Sequence, residues 1–440
     1  MPYDPTPLAP LVRSLRAGDR APTALTRDLC DRHEAVGDDV RAVLPEAGRR
    51  ERLTREATAL ADRHDTPATR PPLFGVPVGV KDIFHVDGYA TAAGSAVPTA
   101  AITGPEASVV GRLRDAGALH FGKTHTAEFA YFAPPPTRNP VALGHTPGGS
   151  SSGSAAAVAA GVCPLALGTQ TVGSVIRPAA FCGVVGFKPS YGRIPTDGVV
   201  TFSPSVDHVG TFTADVAGAR RAAAVLCDGW ERVDPDDRPI LGVVEGPYLD
   251  QATAAGRAGV EAAADALDAA GYEVRRVSML DDIDDVNERH DRLTAAELAL
   301  SHAERYAAYG DRYADATADL IERGQEVGVE AVVDARVEVR AFRERIGERA
   351  REAGVDVLLS PAAPGPAPEG IDDTGDPVMN LPWTHGGVPA LTVPCGRVDG
   401  LPLGLQCVAP FGNDESLLAW GDGIAAAVAD VGEVGDRTGG

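Results

Sequence analysis

From residue 71 onward the chain alternates short apolar runs, punctuated by glycine and proline, with segments of helical periodicity. That rhythm restricts the fold more than any other feature. Residues 76–80 and 119–122 read as strands, with a helix over residues 107–116 between them. The pattern returns as a strand at residues 240–244, an alanine-rich helix over about 251–270 and a strand at 272–277. Strands this short, separated by helices, pair in parallel through crossover connections. The expected class is therefore α/β, a large mixed and twisted sheet covered by helices on both faces. Further strands are expected at residues 355–359, 390–393 and 403–408, followed by a helix near 415–428.

The flanking regions read differently. Residues 1–70 alternate arginine with acidic residues and are expected to form short helices, an N-terminal helical layer around a main body at residues 71–430. Within that body the chemistry-bearing motifs concentrate at residues 71–230. Residues 284–353 are charged, alanine-rich and free of proline, which favours helices serving as a cap or an interface. Residues 431–440 form a polar tail expected to fray.

Charge excludes some classes of partner. With 62 acidic against 40 basic residues and a net charge of −22, the chain repels nucleic acid and anionic membranes, and no basic cluster offsets this. Acidic excess with scarce lysine also suits a concentrated-salt cytoplasm, an expectation that a salt series of solubility and activity would check. The six cysteines lack paired spacing and read as buried free thiols. With no apolar signal core at the N-terminus and no apolar run of membrane-spanning length, a reducing cytoplasm is the expected location.

Of the 40 basic residues, 37 are arginine; the three lysines, Lys81, Lys123 and Lys188, all lie in motifs. Arginine replaces lysine on a solvated surface but cannot supply a neutral amine. Lys81 follows an apolar run, GVPVGV, that would bury it, and burial away from carboxylates lowers a lysine pKa. On a strand, Asp82 would face the other way. Residues 146–161 read TPGGSSSGSAAAVAAG, a glycine and serine loop running into an alanine-rich helix. Such a loop offers amides and hydroxyls to developing negative charge. It lacks the lysine of a phosphate-binding P-loop, and linkers do not flow into so apolar a segment. Immediately downstream, LGTQTVGSVIRP at residues 167–178 places Ser174 after a glycine in a turn.

These three blocks, with GKT at 122–124, GVVGFKP at 183–189, PALTVP at 389–394 and LPLGLQ at 401–406, resemble the amidase signature family of Ser-Ser-Lys amidohydrolases. The resemblance covers about residues 72–418, and the 24 positions from Ser150 to Ser174 are the family's own spacing. It implies an amidase-type α/β/α fold with residues 71–230 as catalytic core, Ser174 as nucleophile, Ser150 as bridging serine and Lys81 as base. It further implies an oxyanion hole from the backbone of Thr171, Val172, Gly173 and Ser174. The activity implied is hydrolysis of a carboxylic amide to the acid and ammonia or an amine, through an acyl-enzyme and without a cofactor. The partner implied is a small-molecule amide, and a homodimer is common in the family. The alternative is an ammonia-releasing component of a larger complex, resembling the A subunit of glutamyl-tRNA amidotransferase.

The chain departs from the family at Gln170, where Asp is frequent, at Val172, where Gly is frequent, and at Arg177, three residues after Ser174 rather than two. Val172 must hold negative φ. Arg177 either grips a substrate carboxylate, as in the malonamidase-like branch that shares GSVIR, or is tied structurally to backbone carbonyls or an acidic side chain. Gly149, Phe129 and Tyr131 are further candidates to line the substrate site, with Phe132 beside them. A rival Ser-His-Asp reading would use His125, His145 or His208 with Asp207, but no G-x-S-x-G elbow accompanies them. No residues have metal-ligand spacing.

Overall fold

A computed structural model describes residues 4–235 and 237–434. Ten strands among them, β1 (Pro77–Lys81), β2 (Leu119–Thr124), β3 (Leu165–Gln170), β4 (Val185–Lys188), β5 (His208–Thr213), β6 (Leu241–Glu245), β7 (Val274–Ser278), β8 (Val357–Pro361), β9 (Ala390–Val398) and β10 (Leu401–Val408), form one sheet. Their order is β2-β1-β3-β5-β4-β9-β10-β8-β6-β7. The two ends of the sheet are parallel and the middle is antiparallel. The expected strand–helix–strand units at residues 76–122 and 240–277 build those ends, with a crossover helix in each. The centre instead contains a hairpin, β9 to β10, turned by Asp399 and Gly400, both at positive φ (51° and 77°). An Asp-Gly pair with two positive φ values is the two-residue turn whose twist matches flanking antiparallel strands.

Among the same residues fourteen helices cover the sheet: α1 (Leu8–Ala17), α2 (Pro22–Val40), α3 (Arg49–Arg63), α4 (Ser108–Asp115), α5 (Ser152–Ala159), α6 (Ile176–Cys182), α7 (Val216–Leu226), α8 (Pro247–Asp250), α9 (Ala254–Ala269), α10 (Ile283–Tyr309), α11 (Asp315–Gln325), α12 (Val329–Ala353), α13 (Leu381–His385) and α14 (Asp414–Val428). One face of the sheet takes α5 and α6, which pack on each other; the opposite face takes α7, α9 and α14. Strand alternation shows the division: Leu391 meets Gly421 of α14, while the next residue, Thr392, donates to the Ile176 carbonyl of α6. Helix α5 is apolar on every side and entirely buried, as its alanine run requires.

Helices α10, α11 and α12 fill the helical region foreseen at residues 284–353. The N-terminal helices dock on the edge, α3 against β2 and α1 against α7. The tail departs from expectation in part. Val434 donates to the Arg397 carbonyl and Arg397 to the Gly432 carbonyl, so residues 431–434 run along β9 rather than fraying. The remainder of the foreseen tail, residues 435–440, lies outside the described residues. All six cysteines are buried and unbridged.

Candidate active site

Strand β1 ends on Lys81, and its alternation aims Val78 and Val80 to one face and Gly79 and Lys81 to the other. The Lys81 amine is fully buried. Its Nζ donates to Ser150 Oγ and to Thr169 Oγ1 at 2.8 Å each. Burial drives its pKa well below the ordinary lysine value, opposed only by the more distant charge of Asp207. Asp82 does face away. It is held 2.7 Å from Lys123, whose Nζ also donates to the Phe84 carbonyl at 2.8 Å. Burial raises Asp82 and lowers Lys123, while each partner's charge opposes the shift of the other. Lys123 thus neutralises the carboxylate nearest to Lys81 in sequence.

The serine-rich loop is spent on folding, apart from one hydroxyl. Ser151 Oγ donates to the Thr169 carbonyl (3.2 Å), Ser152 Oγ to the Gly148 carbonyl (2.6 Å) and Ser154 Oγ to the Leu167 carbonyl (2.8 Å). The bonds of Ser151 and Ser154 stitch the start of α5 along β3, that of Ser152 closes the loop on itself, and Ser150, 1% exposed, is left against Lys81.

Ser174 lies 7% exposed in the turn between β3 and α6. Gln170, where the family frequently has Asp, takes over capping of α6. Its Oε1 accepts from the Val175 and Ile176 amides at 2.8 and 2.9 Å, and its Nε2 donates to Thr384 Oγ1 at 2.9 Å. Every carbonyl from Thr171 to Gly173 is occupied. His290 Nε2 donates to Thr171 at 3.0 Å, Thr384 Oγ1 to Val172 at 2.6 Å, and the Arg177 amide to Gly173 at 3.0 Å. Among the described residues, the amides of Thr171, Val172, Gly173 and Ser174 donate to no protein acceptor. Val172 is absent from the positive-φ residues, as its branching demands. No hydrogen bond joins Ser174 to Ser150 among the described residues.

Asp207 is the carboxylate that sequence reasoning placed only in a rival triad. It accepts from Thr171 Oγ1 at 2.6 Å and from the Phe202 and Ser203 amides at 2.9 and 3.0 Å. Burial raises its pKa to about 7 against those bonds. With Thr171 and with Thr169, which also accepts from Lys81, it walls a cavity of about 50 Å³. A larger crevice of about 380 Å³ opens between α3, α4 and the Val78–Val80 face of β1, on the side away from the amine.

Several other expected site residues lie elsewhere. The Phe129 ring is not at a cavity wall; it stacks on Tyr313 (5.0 Å) and meets His302 edge-on (4.6 Å), a buried aromatic cluster held by the helical region. Ala130 takes its place at the small cavity. Tyr131 is half-buried against Phe132 and Phe202, and Phe202 lines that cavity. The Arg177 fork is not free for a carboxylate: it donates to the Gly375 carbonyl, to the Gly149 carbonyl (2.7 Å) and to Thr374 Oγ1 (3.3 Å). It is buried, and burial lowers its pKa to about 10. Gly149 thereby serves as an acceptor packed under Thr374. Lys188 donates to the Val388 carbonyl at 2.5 Å, across the β4–β9 boundary. Of the rival histidines, His208 contacts the Val206 carbonyl and His145 bridges to Glu369; none of the three hydrogen bonds to either serine.

A charge-suppressed amine on one serine, together with a second serine in a turn of unpaired amides, is the equipment that a lysine-activated serine hydrolase of amides requires. The chain belongs to the Amidase family, whose model matches residues 24–418 and so reaches further into the N-terminal helices than the motifs alone indicate. It is an enzyme of the amidase class. A crystal structure described as an amidase is similar over 96% of this chain and 100% of its own, at 34% identity and TM-score 0.87. Native peptide amidase from Stenotrophomonas maltophilia matches over 99% and 100%, at 26% identity and TM-score 0.81. Among curated proteins, the A subunit of glutamyl-tRNA(Gln) amidotransferase from Lysinibacillus sphaericus is 32% identical over 92% of this chain and 93% of its own. Its counterpart from Exiguobacterium sibiricum is 34% identical with the same coverage. Among the described residues no helix is long and apolar enough to cross a membrane.

Proposed function

We propose that this chain cleaves a carboxylic amide through an acyl-enzyme on Ser174. Neutral Lys81 takes the Ser150 proton, the 2.8 Å contact reversing so that the hydroxyl donates, and Ser150 takes the proton of Ser174. Ser174 Oγ then bonds to the amide carbon, and the oxyanion is received by the unpaired amides of Thr171 to Ser174. The relay returns its proton to the departing nitrogen, which leaves as ammonia or an amine. Water, deprotonated through the same relay, attacks the ester carbon and releases the acid, and Ser174 recovers its proton. The observation that carries this reading is the buried, charge-suppressed Lys81 amine in contact with Ser150. The test is ammonia release from a panel of small amides together with labelling by a fluorophosphonate. Wild type is expected to be labelled on Ser174. Ser174→Ala should remain unlabelled, and Lys81→Ala should lose about a thousandfold in kcat. Labelling that survives Ser174→Ala would sink the assignment.

A second reading has equal or better support from the relatives: an ammonia-releasing component that works with partner proteins, in the manner of the amidotransferase relatives. A face of α12 favours it too, since Val329, Val333 and Val337 stand at four-residue spacing with 80%, 52% and 66% exposure. Expression in the native host and gentle purification separates the readings. A stoichiometric partner that raises glutamine-dependent ammonia release supports the complex. Full turnover of small amides by the isolated chain or its homodimer supports the free-standing enzyme. The six unbridged thiols are in keeping with a reducing compartment.

A further inference from the structure

The amides proposed to receive the oxyanion face one way because their carbonyls are tied the other way. In a trans peptide the C=O and N–H point oppositely, so an anchored carbonyl fixes the direction of the next residue's amide. The carbonyl of Gly173 is held from within the same segment, by the first turn of α6. Those of Thr171 and Val172 are held by side chains more than a hundred residues away, His290 on α10 and Thr384 on α13.

We propose that His290 is a positioning residue for the oxyanion loop, through which the helical region at α10 aligns the Val172 amide for catalysis. The inference rests on the reading of Ser174 as nucleophile. Its protonation pattern is determined by the partners. A carbonyl only accepts, so His290 Nε2 carries hydrogen; burial keeps this imidazole neutral, its pKa lowered to about 4, so Nδ1 is bare. His385 Nδ1, 3.2 Å away, must then carry the hydrogen and donate. The chain of donors runs from His385 to His290 to Thr171 and leaves His385 Nε2 buried without a partner.

Helix α10 grips Thr171 by a second route. Glu297 accepts from Ser203 Oγ at 2.6 Å and from the Ser205 amide at 3.0 Å. The loop so fixed carries Asp207, which accepts from Thr171 Oγ1. One helix thus holds both the carbonyl and the hydroxyl of the residue that opens the loop. Thr384 performs the matching service one peptide later and is itself held by Gln170. Neither His290 nor Thr384 is placed to touch the reacting atoms; each acts through the backbone.

The test compares His290→Phe, which keeps a ring but removes the donor, with His290→Gln, whose amide restores a donor at the same reach. Rates are expressed per fluorophosphonate-titrated Ser174, so that loss of folded protein does not count as loss of rate. His290→Phe is expected to lower kcat by about tenfold or more with KM little changed. Affinity for an aldehyde that forms a tetrahedral adduct should weaken by a similar factor, and His290→Gln should recover most of both. A purely structural role would change the melting temperature and leave kcat per site and aldehyde affinity at wild-type levels, which would overturn the proposal. Should His290→Phe not fold, Thr384→Val carries the same comparison against the Val172 carbonyl, with the same two outcomes. Absence of Ser174 labelling in wild type would instead overturn the nucleophile assignment and the proposal with it.

Discussion

At the scale of single residues the chain separates its three lysines by what burial leaves each one to do. Lys81 has only hydroxyls within hydrogen-bonding distance, and burial drives its pKa well below the ordinary value; Lys123 faces a carboxylate that opposes the same effect of burial; Lys188 donates to carbonyls where β4 meets the start of β9. The bias against lysine marked all three as suspect, and the Lys81 block was legible from its motif. What each amine would face was not, because the partners Thr169, Asp82 and Val388 come from different strands and loops. The Lys123 pair is the more exposed to perturbation. Lys123→Met should cost about 3–5 kcal/mol in urea unfolding, because it leaves Asp82 as a buried carboxylate without its cation. Asp82→Leu combined with it should regain much of that loss. Additive losses in the double variant would mean that the two side chains are not energetically coupled.

At the scale of elements, the position of Ser150 depends on how closely α5 approaches its neighbours. Gly153, in the first turn of α5, has no room for a side chain: an added Cβ would lie 2.3 Å from the Ala42 carbonyl oxygen and 2.4 Å from the His125 amide. Both contacts are backbone, so neither yields by rotating a side chain. Gly153→Ala is therefore expected to destabilise by about 1–3 kcal/mol or more and to cut activity by shifting Ser150 off Lys81. Thermal melting and ammonia release together check it; wild-type melting would refute the packing argument. Element types along the chain were readable from period and punctuation, down to the helical region at residues 284–353. The sheet order was not, since β5 inserts between β3 and β4, and β8 crosses to lie between β10 and β6. Those neighbours are chosen by burial of complementary faces. The Asp-Gly turn at 399–400 is a local signal, present in the sequence, for the one hairpin that the period of the strands did not reveal.

Across the whole molecule, burial holds eight of the ten histidines below their ordinary pKa, including His33 at about 4, His120 at about 3, His302 at about 3 and His385 at about 2. The unfolded chain binds these protons near pH 6.5 and the folded chain does so only at lower pH. Stability is thus unaffected above about 6.5 and falls as pH drops from there toward about 4, by up to about 1.4 kcal/mol per pH unit for each group. Asp207, raised to about 7, works in the opposite sense, contributing most below its unfolded value near 3.8 and losing that contribution as pH rises toward 7. Urea midpoints measured from pH 8 to pH 4 should fall mainly between 6.5 and 4; a flat curve there would show that the histidines are accessible to solvent in the folded state. The sequence by itself determined the α/β class and the family, and it singled out Lys81, Ser150 and Ser174 as the residues proposed for the relay, because strand and helix periods, glycine turns and the need for a neutral amine are demands made by local chemistry. Only the tertiary structure decided that Arg177 spends its fork on two carbonyls and a hydroxyl, that Phe129 belongs to an aromatic cluster, and that His290 and Thr384 hold the carbonyls of Thr171 and Val172. Those roles depend on which distant groups share a desolvated space, and no local pattern along the chain encodes that.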